Sequence, residues 1–244
     1  MKQAKLLALL ALRRGQTVSP AECAQELWAD QAPRSAGAAL HTYIRKLREL
    51  VAAGIPDIDP KTVIVTRPGG YTLNPLSVQI DAEAFERLAE RGHRAMAGGD
   101  DAVAAARFRQ ALALWRGPAL SDLPRGPLLT IHAKELEERR RTALDRCISA
   151  ELRLGRHYEL LGELVAYATA DPTHERLHAQ LMLALHRAGR RVEALQVYRD
   201  LRRELTSRLG IEPAPHIRDL YRAILSADRS LQSEPTRERE PMVA

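Results

Sequence analysis

Two stretches of the 244-residue sequence carry side chains whose types and spacing suit chemistry. One is His174-Glu175-Arg176-Leu177-His178, a letter-for-letter H-E-x-x-H. On a helix the two imidazoles share a face and can hold zinc, with Glu175 activating a bound water and His157 or His186 as a third ligand. That would make a zinc hydrolase. The same residues also read as an ordinary helix start just after Asp171-Pro172, with Glu175 in the first turn where a carboxylate suits the helix dipole. Leu177, Leu181, Leu183 and Leu185 then supply an apolar face for stacking rather than a substrate cleft. Five letters with two free positions recur by chance, so no catalytic or metal-ligating residue is assigned and no cofactor is called for.

The second stretch runs from Arg34 to Arg48. At about 100° per residue, Leu40, Tyr43, Ile44, Leu47 and Val51 fall on one side and face a core. The other side presents Arg34, Ala38, His41, Thr42, Arg45 and Glu49, flanked by Lys46 and Arg48. Arg45 suits the O6/N7 edge of guanine, and the small Ala38 permits close approach to a thymine methyl. Ser35, Thr42 and the first-turn amides suit phosphate oxygens. Taken alone, such a helix is more often just amphipathic, with its charges in water. Its neighbours in the chain decide otherwise.

Upstream, residues 3–13 form an apolar helix ending at Gly15, and Ser19-Pro20-Ala21-Glu22 opens a second with the signature of a capping box. The longer third helix runs from Ser35 to Ala53 and stops at Gly54. Downstream, Val63–Thr66 and Tyr71–Leu73 are β-rich runs around Arg67-Pro68-Gly69-Gly70, a hairpin signature. Helix, helix, longer helix, hairpin is the order of a winged helix-turn-helix. Residues 1–75 are therefore expected to be a DNA-binding domain, with Arg67 at the wing tip entering a minor groove or clamping a phosphate.

From Ala82 to Asp228 nearly everything has helical period. Gly155-Arg156 and Gly189-Arg190 lie 34 residues apart, the tetratricopeptide spacing. Gly99 precedes Gly155 by 56, so the first repeat needs an insertion, placed around Gly117–Glu138. Ala194 followed four residues later by Tyr198 suits helix pairs packing into a stack. The expected fold is mainly α: a winged helix with a β-hairpin wing over 1–75, an all-helical tetratricopeptide-like domain over 80–228, and a disordered tail over 229–244.

Charge agrees with this division. Residues 1–75 hold ten Lys/Arg against six Asp/Glu, a net of +4 within the chain's +6, as an anion-binding module requires. Cys23 and Cys147 form no C-x-x-C pair and read as reduced thiols of a cytoplasmic protein. Leu6–Leu12 is too short for a signal-peptide core and runs into Arg13-Arg14, and no stretch is long enough to span a bilayer. P-loop, dinucleotide and nucleophile-elbow signatures are absent, so no enzyme is expected. A protein-binding adaptor whose winged helix is only structural is the remaining alternative.

Several segments together resemble the Streptomyces antibiotic regulatory protein family. Pro33-Arg34-Ser35-Ala36, Thr42 through Arg48, and Pro68-Gly69-Gly70-Tyr71 are similar to its OmpR-type winged helix. Ala113 through Leu120, Leu154-Gly155-Arg156-His157, Glu175-Arg176-Leu177 and Leu209 through Pro213 are similar to its bacterial transcriptional activation domain. The resemblance spans roughly 2–228. It implies a cytoplasmic, nucleoid-associated activator of a secondary-metabolite cluster that binds direct repeats in double-stranded promoter DNA as a homodimer. It further implies contacts with RNA polymerase, including the sigma factor, and none with a membrane. Family members open with a small antiparallel sheet; this sequence begins almost at the first helix, and that sheet is expected to be missing.

Overall fold

The computed structural model describes residues 1–55 and 57–231. They form two compact units, the first comprising Met1–Leu88 with Gln110–Thr142, the second Ala89–Arg109 with the described residues from Ala143 onward.

The first unit opens with α1 (Lys2–Leu12), α2 (Pro20–Trp28) and α3 (Ala36–Gly54), followed by α4 (Pro60–Val63), β1 (Ile64–Arg67) and β2 (Gly70–Leu73). Leu6, Leu9 and Leu10 of α1, Cys23 of α2 and Leu40, Ile44 and Leu47 of α3 bury together with Val18, Ile64 and Tyr71. The expected core stripe of α3 is thus the observed one, with Tyr43 and Val51 packed at its margin. The capping box at Ser19 forms as read: its side chain accepts from Glu22 N while Glu22 accepts from Ser19 N. A cap of this kind contributes about 1 kcal/mol.

Two local expectations need correction. Val63 is not in a strand but ends α4, a single turn whose start is set by Asp59 accepting from Lys61 N ahead of Pro60. A four-residue helix is too short to show periodicity, so only its cap could have announced it. The strands instead extend toward the tip, pairing Ile64 with Leu73 through Arg67 with Gly70. Val18 adds a third, one-residue bridge by exchanging both backbone hydrogen bonds with Tyr71 at 2.8 and 3.0 Å. A Cβ on Gly70 would stand 2.0 Å from Val18 O, so this close approach admits only glycine.

The same unit includes the irregular stretch 113–126 and the front of α7 (Pro127–Arg153). Here lies the insertion expected near Gly117–Glu138. Leu120, Leu128 and Leu129 pack into the winged-helix core, and Leu12 packs against Ala119, Ala133 and Leu136. The carboxylate of Glu26 on α2, itself buried, accepts from Gly126 N at 2.5 Å and Leu129 N at 2.9 Å. It caps the N-terminus of α7, where a negative charge meets the positive end of the dipole.

In the second unit, helix pairs follow the repeat. The tail of α7 and α8 (His157–Ala170) turn at Gly155; α9 (Glu175–Arg187) and α10 (Arg191–Leu209) turn at Gly189; α11 (Pro215–Leu225) follows. Both glycines have φ +77°, the left-handed cap that ends a helix without a Cβ penalty. Leu160, Leu164, Leu177, Leu181, Leu185, Leu201 and Leu205 form the shared core, closed by Ile217 and Ile224. Ala194 and Tyr198 are buried as the repeat required. Between α5 (Asp81–Ala97) and α6 (Asp101–Leu112), Gly92 lies against the Phe108 ring, where a Cβ would meet three ring carbons at 2.9 Å. Cys23 and Cys147 are both free and buried, and burial pushes each thiol up to about 12. The tail expected from 229 begins with a 3-10 turn over Arg229–Leu231, and its remainder lies outside the described residues.

Candidate nucleic-acid interface

The outward side of α3 is built by subtraction. Once Leu40, Ile44 and Leu47 are committed to the core, helical geometry leaves Ala38, His41, Thr42, Arg45 and Lys46 pointing away from it, and all five are exposed. Arg34 and Ser35, just before the helix, are exposed as well, as is Arg67 at the end of β1. Ser35 makes no side-chain cap and the first turn holds no acid, so the positive end of the α3 dipole is uncompensated. Thr42 donates its hydroxyl to Ala38 O at 3.0 Å and keeps only its acceptor side free.

Arg45 lies 3.5 Å from Glu49 one turn on, with both side chains more than 60% exposed. A surface pair of this kind contributes about 0.3–0.5 kcal/mol, too little to hold the guanidinium against a competing phosphate or base edge. Arg48 differs from the others. It is half-buried, and its guanidinium donates to Ile64 O at 2.6 and 3.0 Å and to Thr66 Oγ1 at 2.8 Å. The fold thus uses Arg48 internally, fixing the wing strand β1 against α3.

A second tie links the same elements. Tyr71 of β2 is buried, and its hydroxyl lies 3.1 Å from His41 Nδ1, with the two rings edge to face. Burial, with a smaller contribution from Cys23, raises the Tyr71 hydroxyl above its ordinary value against the opposing pull of Arg48. Between helix and wing runs a groove of about 360 Å³, lined by Arg45, Arg48, Lys61, Thr66 and Tyr71 among others. Tyr71 and Lys61 were missed as site residues. An aromatic immediately after Gly69-Gly70 was the available signal for the first, and nothing local pointed to the second.

The H-E-x-x-H residues go to other tasks. His174 is the N-cap of α9, outside the regular turns that a shared face assumes, and its Nδ1 accepts from Leu177 N at 3.2 Å. His178 is buried and donates from Nδ1 to His174 O, and burial lowers its pKa. Glu175 accepts from Ala214 N at 2.6 Å, holding the start of α11. Among the described residues no group of three or more His, Cys, Asp or Glu side chains is placed to hold a metal ion. Nor is any helix among them long and apolar enough to cross a membrane.

A recognition-type helix with a cationic outer face, braced by a β-hairpin and joined in sequence to helical repeats, defines a winged-helix transcription regulator. Comparison with known proteins gives the family. Residues 1–73 match the family described as "Transcriptional regulatory protein, C terminal", and residues 80–225 match "Bacterial transcriptional activator domain". The chain is 44% identical over 230 residues to the regulatory protein DnrI of Streptomyces peucetius, covering 93% of this chain and 85% of that one. It is 38% identical to the regulatory protein AfsR of Streptomyces coelicolor, of which it spans 22%. Among solved structures, Mycobacterium tuberculosis EmbR in complex with a low affinity phosphopeptide superposes with a TM-score of 0.87 at 32% identity, over 93% of this chain and 59% of that one. The chain belongs to the Streptomyces antibiotic regulatory protein family of transcriptional activators.

Proposed function

We propose that this activator reads promoter DNA of a secondary-metabolite (antibiotic) cluster through the winged helix at 1–75 and meets its protein partners through the helical domain at 80–228. In this reading α3 lies in the major groove. Arg34, Ser35, Ala38, His41, Thr42, Arg45 and Lys46 contact bases and phosphates, Arg67 reaches the backbone or minor groove, and Arg48 holds the wing in register. Two protomers sit side by side on direct repeats about one helical turn apart, which puts both recognition helices on one face of the DNA. The helical domain joins the protomers and recruits RNA polymerase, including its sigma factor. The protein works in the cytoplasm on the nucleoid, catalyses no reaction and needs no cofactor.

The observation that carries this reading is the exposed cationic face of α3 beside a braced wing. It is tested by a salt-dependent mobility-shift titration on promoter DNA, comparing wild type with Arg45→Ala. Wild type is expected to bind specifically and to weaken as salt rises, and the variant to lose at least tenfold in affinity. Equal binding by both proteins overturns the role of Arg45. No specific binding by wild type, with protein-partner capture intact, favours the adaptor.

A further inference from the structure

His41 stands in the middle of the exposed face of α3, yet its ring is held from below by a residue of the wing. The Tyr71 hydroxyl meets Nδ1 at 3.1 Å, and it has no other hydrogen-bond partner among the described residues. Nε2, on the far side of an exposed ring, has no protein partner among them either.

A neutral imidazole carries one proton, and the nitrogen that holds it is set by the bond the other nitrogen makes. A phenol is a strong donor and a weak acceptor, whereas an unprotonated imidazole nitrogen is a strong acceptor. If Nδ1 held the proton instead, the Tyr71 hydroxyl would accept it and leave its own hydrogen without a protein acceptor at a nearly buried site. O–H to Nδ1 is therefore the favoured arrangement, and it leaves the proton on Nε2.

We propose that Tyr71 is a positioning residue that fixes His41 as an outward N–H donor, and that this donor favours guanine and rejects cytosine at one position of each half-site. The inference rests on the reading that α3 enters the major groove. There an N–H finds acceptors at N7 of either purine, with O6 beside N7 in guanine, and at O4 of thymine beside its methyl group, whereas cytosine offers only a donor at N4. A single donor cannot grip two atoms as an arginine does, so the preference is about five- to tenfold. Tyr71 thereby links wing and helix chemically as well as mechanically, because a side chain of β2 sets what a side chain of α3 can recognise.

The test selects sites from a random duplex pool with the full chain, for wild type, His41→Ala and Tyr71→Phe. Wild type should enrich a site with a preference for guanine over cytosine at one position that flattens in His41→Ala and falls at least threefold in Tyr71→Phe, while the other positions keep theirs. A Tyr71→Phe profile identical to wild type, or one that weakens equally at every position, overturns the proposal. So does a His41→Ala profile that loses affinity but no base preference, which would mark His41 as a phosphate contact. Nitrogen NMR of His41 in the free wild-type protein gives an answer that does not depend on any variant folding, since a proton found on Nδ1 also overturns it. A wild-type chain that enriches no sequence removes the DNA reading and this inference together, an outcome distinct from those above.

Discussion

The helices of the second unit and the α3 face of the first use arginine differently. In the second unit, many arginines are matched by carboxylates within the fold. Arg109 of α6 grips Glu151 and Glu163 at 2.6–3.1 Å, Arg153 grips Asp101, and Arg190, Arg202 and Arg208 pair with Glu193, Glu212 and Glu204. On the α3 face and wing of the first, Arg34, Lys46 and Arg67 make no ion pair among the described residues, and Arg45 has only the loose contact with Glu49. Matched charges hold helices together, and unmatched ones cost little in water while remaining available to an anion. An overall charge of +6 says little by itself. What matters is where unpaired cations cluster, and on the α3 face and wing Arg34, Lys46 and Arg67 remain available to an anion.

The comparison breaks most sharply at Gly70, where the wing depends on backbone rather than charge. A Cβ there would displace Val18 O and with it the Val18–Tyr71 bridge, on which the hairpin and the His41 contact both depend. Gly70→Ala is expected to destabilise the first unit by about 2–4 kcal/mol and to abolish specific DNA binding. The neighbouring Gly69 has φ +89° with open space around its Cβ position, so Gly69→Ala should cost only about 1 kcal/mol. Hydrogen exchange at the β1 and β2 amides of the two variants checks the pair, and equal protection in both would show that the close approach is not obligatory.

Next in size is Arg109→Ala. It leaves Glu151, whose side chain is only 9% exposed, and Glu163 facing each other without their shared cation. Arg109 is itself partly exposed, so the loss should be about 2 kcal/mol, below that for a fully buried pair, with DNA affinity at a fixed salt unchanged. The Arg109 hydrogen bond is the largest cause holding the Glu163 carboxyl below its ordinary 4.5. A carboxylate depressed in the fold adds stability that is complete above the unfolded value and is lost as pH falls through the folded one. The acid side of the wild-type stability curve should therefore slope more steeply below about pH 4.5 than that of the variant. Urea unfolding from pH 3 to 7 measures both, and parallel curves would remove the pairing argument.

Much of this was legible in the sequence because it depends on local rules. Ser19-Pro20-Ala21-Glu22 specifies its own cap, the apolar stripe of α3 specifies which side faces out, and the spacing of Gly155 and Gly189 specifies a repeat. What stayed hidden joins residues far apart in the chain. Nothing near Glu26 in sequence shows that its carboxylate caps a helix starting a hundred residues later. Nothing near Arg48 shows that its guanidinium is spent on Ile64 and Thr66. The H-E-x-x-H letters illustrate the reverse, a local pattern whose residues are taken up by a helix cap, a core and a neighbouring loop.

The smallest effect tests the contrast most cleanly, because it should touch one property and leave the other alone. Lys46 is exposed on α3 and makes no ion pair among the described residues, so Lys46→Ala should move the unfolding midpoint by an amount equivalent to no more than about 0.5 kcal/mol. If its ammonium neutralises one phosphate, the slope of log affinity against log salt should become shallower by about 1, and affinity should fall similarly on every sequence. A double variant with Arg67→Ala should add a second, similar decrement, since the two residues lie on different elements and share no partner. Arg208→Ala on α10, whose cation is already matched by Glu204, is the control and should leave the salt slope unchanged. If Lys46→Ala left the slope untouched while Arg208→Ala lowered it, paired and unpaired cations would have exchanged roles, and the interface would have to be sought on the helical repeats.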